Sequence, residues 1–516
     1  MSTQSAPATA TATATAAEST VLPPGLRRSM VLLTALMISV MAVIDMTIVS
    51  VALPYMAGNL SASPYEITWV VTMFTCGQAL IIGVSGHLTR LLGRRRLALI
   101  VVTGFVLSSL ACGLSQTLTQ IVIFRFIQGL FSGPLIPLSQ SMLIDAFPPQ
   151  ERSKALSIWV LGVLGGPALG PVIGGFLAQN LDWRWNFWVN LPIGLVALML
   201  ILSVMPRTAA QRVRTDLAGF VLLAVWVVCL QIMLDQGDDL DWLGSAEIWV
   251  LGILTLTFFI AFVLRGVLIG DRNIMRFRLF ADVNFLACSV LVALFGVLFL
   301  GSFIITPELA INYLQWEVVT VGLIMGAAGG FGVVAALLAS HIERLIGIRQ
   351  VAVLAALCIA AGWFAYSRLS PATGPAELLV PLALNLFGLM LIYPLLAAQA
   401  FQNLRPEDRD EGAALFNFLK NLGFSLGTTF VGVMLYRGNQ GNWSRYVGDL
   451  SWSHPGFMQW LEGPVLDEQL PLTMALVSDV LTRQVGILTI LQLCEVLAVL
   501  AILTIPLAFL LKRRVS

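Results

Sequence analysis

Charge is what this 516-residue sequence has least of: Asp, Glu, Lys and Arg make up 11% of it, against roughly 25% in soluble domains. That scarcity excludes an ordinary water-soluble globule. Histidine is rarer still, with His87, His341 and His454 scattered along the chain, too few and too dispersed for a metal cluster. Lysine occurs only at Lys154, Lys420 and Lys512, and none follows a glycine, so there is no phosphate-cradling GxxxxGK[ST] loop and no ATP-driven pumping by that device. The six cysteines (Cys76, Cys112, Cys229, Cys288, Cys358, Cys494) form no CxxC and all lie in apolar runs, where they read as small buried hydrophobes. The short loops hold no nucleophile and base pairing, which argues against an enzyme. No cofactor and no nucleic-acid partner is expected. The first 20 residues, an Ala/Thr alternation closed by Glu18, lack the basic start and small-residue cleavage site of a secretory signal and read as a disordered tail.

What is present is apolar length. Hydrophobic residues reach 58% and fall in runs of about 20, enough for a helix to cross roughly 30 Å of hydrocarbon. Windows near 31–52, 67–88, 97–115, 119–143, 153–178, 186–205, 216–234, 246–269, 283–306, 319–340, 349–367, 378–399, 412–436 and 486–511 give fourteen spans. With both ends cytoplasmic, only Arg184, Arg368, Arg437, Arg445 and Arg483 of the 29 basic residues fall outside, and Arg125 and Lys420 lie within spans. The rest face inward, as orientation by cytoplasmic Lys and Arg requires. The acidic run Asp235, Asp238, Asp239 and Asp241 falls on the outer side.

A repeat joins Gly86-His-Leu-Thr-Arg-Leu-Leu-Gly93-Arg-Arg-Arg-Leu97 to Ser340-His-Ile-Glu-Arg-Leu-Ile-Gly347-Ile-Arg-Gln-Val351, without gaps. It predicts two parallel six-helix halves with a substrate site between them near the midplane. The expected organisation is a tail over 1–30, a first half over 31–206, two inserted helices within 207–282, and a second half over 283–516 with a long outer loop at 437–485.

Several motifs resemble those of the major facilitator superfamily, specifically the fourteen-helix drug:proton antiporters of the EmrB/QacA type. The run Asp45-Met-Thr-Ile-Val-Ser50-Val-Ala-Leu-Pro54 is similar to that family's first-helix motif, with Ser50 where Asn is usual. A carboxylate in hydrocarbon is costly and by default functional. Ile123-Phe-Arg125-Phe-Ile-Gln128-Gly129 resembles the family's buried-arginine motif. At 1.5 Å per residue, Asp45 and Arg125 reach roughly the same depth in the outer half, so the two are expected to interact as a proton-coupling pair. Gly86, Gly93 and Arg94 lie in a segment that resembles the superfamily's cytoplasmic loop motif, with Arg90 where Asp is usual, a departure that puts the usual loop salt bridge in question. Gly162, Gly166, Pro167, Gly170 and Gly174 resemble the antiporter motif, and their small-residue spacing suits close helix approach and a conformational role. Asp182-Trp-Arg-Trp-Asn-Phe-Trp188-Val-Asn190-Leu-Pro-Ile-Gly194 resembles the family's Trp-Arg-Trp loop entering the sixth helix and reads as an aromatic interfacial belt at the outer face.

Weaker matches are Tyr313-Leu-Gln315 and Asn417 to Gly427, where Lys420 replaces a usual Arg. Gln128, Lys420 and Gln315 are candidate cavity polar groups, and Glu495 is a candidate second acid. The resemblance implies an all-α integral protein of the bacterial inner membrane that exports amphiphilic, often cationic or neutral, compounds in exchange for protons. The proton gradient would be its energy source, and a periplasmic adaptor is an implied candidate partner. The competing readings are a dedicated exporter of one metabolite, such as a siderophore, amino acid or sugar derivative, and a non-transporting membrane receptor.

Overall fold

The computed structural model describes residues 25–205, 215–237, 240–270, 273–447 and 470–511, and among them the regular structure is helical. In chain order the helices are α1 (Leu26–Leu60), α2 (Pro64–Ile82), α3 (Ser85–Leu92), α4 (Arg94–Gly113), α5 (Leu118–Ser132), α6 (Leu135–Ala146), α7 (Pro149–Asn180), α8 (Trp185–Trp188) and α9 (Asn190–Val204). There follow α10 (Leu217–Gln236), α11 (Ala246–Ile269), α12 (Val283–Pro307), α13 (Val318–Ile346), α14 (Ile348–Tyr366), α15 (Pro375–Ala400), α16 (Arg409–Val447), α17 (Leu470–Leu503) and α18 (Ile505–Ala508). A lipid solvent supplies no partner for backbone polar groups, so each crossing segment must satisfy them within its own helix.

Among the described residues 12 helical stretches are long and apolar enough to cross a membrane, and α2 with α3, bent by 58° at their junction, raises the count to 13. The window at 153–178 lies on the 32-residue α7, some of whose side chains, including that of Pro167, are outside those described. Two boundaries differ from expectation. The first helix starts at Leu26 instead of 31, and residues 1–24 lie outside the described ones. The expected loop at 437–485 is shorter, because α16 runs on to Val447 and α17 begins at Leu470. Residues 448–469 lie outside the description.

The two halves repeat each other's packing. Helix α1 packs on α7 as α12 packs on α16, α2 on α5 as α13 on α15, and α4 on α9 as α14 on α17. The sequence repeat shows itself in backbone form: Gly93 and Gly347 both take positive φ, +79° and +84°, a conformation open to glycine at no steric cost. Each thereby lets a new helix start at once after the last.

The inserted pair is more than a covalent link. Only 11% of the apolar window of α11 is buried, against 78% of that of α15, so α11 is the lipid-facing outer helix. Helix α10 lies beneath it, with Trp226 of α10 4.8 Å from the Phe259 ring and 5.9 Å from that of Phe262. On its other sides α10 touches both halves. Asp235 accepts from Thr75 at 3.1 Å and Gln236 donates to Thr72 at 3.3 Å in α2, while Gln231 accepts from Ser425 at 2.9 Å and the Leu234 carbonyl from Thr429 at 3.0 Å in α16. Asp235 thus belongs to the last turn of α10 and not to an outer loop; Asp238 and Asp239 lie outside the described residues.

Candidate functional site: a buried acid beside a central cavity

Arg125 and Gln128 are three residues apart on α5 and therefore share a face. That face reaches α2 because Gly77 and Gly129 meet at the crossing: a Cβ on Gly129 would stand 3.0 Å from the Gln78 nitrogen, and one on Gly77 3.0 Å from that of Leu130. Close backbone approach lets the Arg125 Nε donate to the Val70 carbonyl at 3.2 Å. The same guanidinium lies 4.0 Å from the Phe74 ring centroid, a cation–π position.

Asp45 of α1 completes the cluster. Its Oδ2 accepts from Arg125 Nη1 at 2.6 Å, and its Oδ1 accepts from Gln128 Nε2 at 3.0 Å and Asn190 Nδ2 at 2.6 Å. Gln128 also accepts from Arg125 at 2.9 Å, and Asn190 donates to Ser109 at 3.0 Å. Asp45, Arg125, Gln128 and Asn190 are all fully buried. A buried ion pair needs its remaining polar capacity met by neighbours, and here α2 (Val70), α5 (Gln128) and α9 (Asn190) supply partners, with Ser109 of α4 behind Asn190, while Arg125 Nη2 and Asn190 Oδ1 have no hydrogen-bond partner among the described residues. Asn190 is the member that the sequence reading missed. It lies within the Asp182–Gly194 motif, which the sequence reading took as an interfacial belt, so its role beside Asp45 went unseen.

Beside this cluster is a cavity of about 550 Å³ between the halves, lined by Met46, Thr47 and Ser50 of α1, Phe299 and Phe303 of α12, Met325 of α13, and Lys420 and Phe424 of α16 among others. Successive residues of α1 therefore serve two places: Asp45 faces the arginine, and the next two residues face the cavity. Of the three candidate cavity groups only Lys420 lines it. Gln128 is turned to Asp45, and Gln315, at φ +60°, is exposed beyond α12. Glu495 is likewise exposed on α17, while its neighbour Cys494 faces the protein interior. In this conformer Glu495 contributes nothing to the cavity.

The glycines of α7 form a stripe against α1. A Cβ on Gly162 would come within 2.7 Å of Leu36, one on Gly166 within 2.8 Å of Val43, and one on Gly174 within 2.5 Å of the Ile48 carbonyl, while Gly170 abuts Thr47. This stripe sets how closely α1, with its acid and its cavity wall, lies on α7.

At the basic end of the bundle the halves are tied by ions. Arg90 pairs with Glu411, Arg94 with Asp145 and, at 2.9 Å, Asp410, and Arg409 with Asp145 at 2.7 Å. Arg276 adds pairs to Asp408 at 2.5 Å and Glu411 at 2.9 Å. The usual loop salt bridge, which needs an Asp where Arg90 stands, is replaced by one of opposite polarity. The loop bears the cation, and the second half bears the acid. Gly86 makes room, since a Cβ there would stand 2.6 Å from the Glu411 Cα. Beneath the ions, Asn417 donates to Gln140 at 2.5 Å.

Comparison with known proteins agrees with this architecture. Residues 35–428 match the family model described as Major Facilitator Superfamily. The multidrug export protein EmrB of Escherichia coli K12 is 32% identical over 400 residues, covering 76% of this chain and 77% of that protein. The fatty acid resistance protein FarB of Neisseria gonorrhoeae is 36% identical over 310 residues, 59% of this chain and 60% of that one. A crystal structure of a double-tryptophan XylE mutant, 14% identical, superposes with a TM-score of 0.62 over 94% of this chain and 96% of that chain. The chain belongs to the Major Facilitator Superfamily and, within it, to the family of the EmrB-type multidrug export proteins.

Proposed function

We propose that this protein exports small amphiphilic compounds across the bacterial cytoplasmic membrane in exchange for protons, with Asp45 as the coupling acid. The observation that carries the reading is a fully buried carboxylate on the helix whose next residues line the cavity. Intramembrane acids are expensive to keep, and proton relays are a principal use of them. The relatives' names, multidrug export and fatty acid resistance, both point to apolar or amphiphilic cargo.

The geometry suggests how a proton acts. Protonating Asp45 cancels the ion pair at 2.6 Å, yet Arg125 keeps the Gln128 oxygen, the Val70 carbonyl and the Phe74 face. Those alternatives lower the penalty of an unpaired buried cation. Helix α1 is then released from α5 and free to shift, and the cavity wall it carries shifts with it. The basic end faces the cytoplasm under the rule that Lys and Arg remain inside, so the ion pairs there close the cytoplasmic entrance in this conformer. Opening them would expose the cavity to cargo.

The test uses inside-out vesicles with an acidified lumen and a pH-sensitive dye. Addition of toxicants should release protons in the wild type, and Asp45→Asn should abolish the release. Absence of release for every compound despite verified insertion, or release that Asp45→Asn leaves intact, would refute the proposal.

A further inference from the structure

We infer that the central cavity binds amphiphiles carrying a single negative charge, with the ammonium of Lys420 receiving the head group. The inference rests on the export reading for its physiological meaning, but its evidence is the geometry around one side chain.

Lys420 lies eleven residues into α16, about 16 Å along the helix and so near mid-membrane. Its backbone is locked, because its carbonyl faces Gly296 of α12, where a Cβ would stand 2.9 Å away. The side chain is 3% exposed and lies in the cavity wall. An ammonium offers three N–H donors. Here one reaches the Tyr393 hydroxyl, at 3.3 Å, and the rings of Tyr393 and Phe424 are 5.6 Å away. Among the described residues Lys420 has no ion-pair partner. Asp45, on α1 across the cavity, is saturated by Arg125, Gln128 and Asn190 and does not line the cavity.

The cavity therefore has a cationic wall group and no anionic one. A desolvated charge without a counter-charge is expensive, and a ligand that brings a carboxylate or similar head supplies the missing partner through charge-assisted hydrogen bonds. A cationic ligand would instead meet an unopposed like charge, which selects against it. The tail has its own surroundings in Met46, Phe299, Phe303, Met325 and Phe424. At about 550 Å³ the space suits a ligand of drug size. This departs from the often cationic or neutral cargo that the family resemblance implies. An anionic lipid entering from the bilayer and a free amphiphilic acid share this chemistry.

The experiment measures binding of radiolabelled decanoate and decyltrimethylammonium, two probes with one tail and opposite heads, to the full chain in phosphatidylcholine nanodiscs, with empty discs as background. Lys420→Met should weaken decanoate binding by about 10-fold or more and leave decyltrimethylammonium unchanged or tighter, which also shows that the variant is folded; Lys420→Arg should stay within about 3-fold of wild type. Equal decanoate binding by wild type and Lys420→Met, or tighter binding of decyltrimethylammonium than of decanoate by wild type, would overturn the inference. Repeating the measurement with phosphatidylglycerol in the disc separates the sources: Lys420-dependent competition by that lipid identifies the bilayer as supplier, and undiminished decanoate binding identifies the free acid. Decanoate binding through Lys420 without proton release for any compound would retain the site and remove the export reading. Proton exchange with cationic toxicants but no decanoate binding would do the reverse.

Discussion

The Arg90–Glu411 pair joins the halves with side chains only 7% and 4% exposed, so on the proposed function its loss should appear directly in the balance between the closed and open entrance at the basic end. Breaking one partner of a buried pair costs about 3 to 5 kcal/mol. Because Arg90 is lost to the other half only when the entrance opens, that cost falls on the closed state. At about 1.4 kcal/mol per tenfold, 3 kcal/mol moves the equilibrium about 100-fold toward the open form. Arg276 remains 2.9 Å from Glu411 and 2.5 Å from Asp408, so Arg90→Gln should cost less than Glu411→Gln, which strips two arginines at once. The assay is alkylation of Gln140→Cys, beneath the latch and fully buried, by a charged maleimide added to inside-out vesicles in a background without the six native cysteines. The labelling rate follows the open fraction. Glu411→Gln should raise it by up to about 100-fold, and the double variant should hardly exceed Glu411→Gln, because both changes remove one shared pair. Additive single effects, or labelling that Glu411→Gln leaves unchanged in a protein that still inserts, would refute the assignment of this pair as the latch.

Other outcomes follow from single contacts. Gly174→Val places three carbons where one already meets the Ile48 carbonyl; overpacking of about 1–3 kcal/mol should reduce transport severely while Gly175→Ala, 3.5 Å from Val51, leaves it near normal in the same vesicle assay. Asn190→Leu removes a 2.6 Å donor to Asp45 and a 3.0 Å donor to Ser109, and should lower the exchange rate at least tenfold without loss of insertion. Asp216 caps α10 through the Gly219 nitrogen at 3.0 Å and pairs with Arg265 at 2.7 Å, and these hydrogen bonds, Arg265 first, hold its carboxyl below the ordinary carboxylate range. Its contribution is therefore present above roughly pH 4 and lost as pH falls through the lowered value. Asp216→Asn should lower the melting temperature of the solubilised protein at pH 7, with the gap closing only below about pH 4.

What the sequence discloses and what it hides separate along a physical line. Apolar length and the placement of arginines are consequences of the bilayer itself, so they can be read without tertiary contacts. Depth can be read too: counting residues set Asp45 and Arg125 at one level, and they stand 2.6 Å apart. Azimuth cannot. Gln128, Gln315 and Glu495 were candidates for the cavity or for proton carriage by polarity and depth, but rotation about the helix axis and chain path turn the first to Asp45 and leave the other two exposed. Asn190 escaped notice for the same reason, since its partner is 145 residues away. The Arg90 latch was hidden because its acid lies 321 residues on, in the opposite half, with the charges exchanged across the interface. The continuation of α16 to Val447 was concealed by polar residues such as Asn439 and Asn442, because a helix that has left the hydrocarbon no longer needs an apolar signature.

The arrangement on α1 bears on how cargo and proton are coupled without touching. Asp45 points into the first half, Met46 and Thr47 into the cavity, and Thr47 and Ile48 back onto the glycine stripe of α7. One rigid element therefore feels the charge on Asp45, the occupant of the cavity and the α7 surface on which it slides. If cargo favours one position of α1 and a proton the other, each must weaken the other's binding by the same factor, because coupling free energy is reciprocal. A cargo anion at Lys420 strengthens this logic: it neutralises the cavity cation on α16, as Asp45 neutralises Arg125 on α5, so each half can hold a compensated charge in one state and release it in the other. On this argument Lys420→Met should uncouple anionic cargo from proton release while leaving the Asp45 site intact, and Asp45→Asn should leave cargo bound but unexchanged. Binding and exchange measured side by side on the two variants would separate these losses, and loss of decanoate binding in Asp45→Asn would show that the two sites are one.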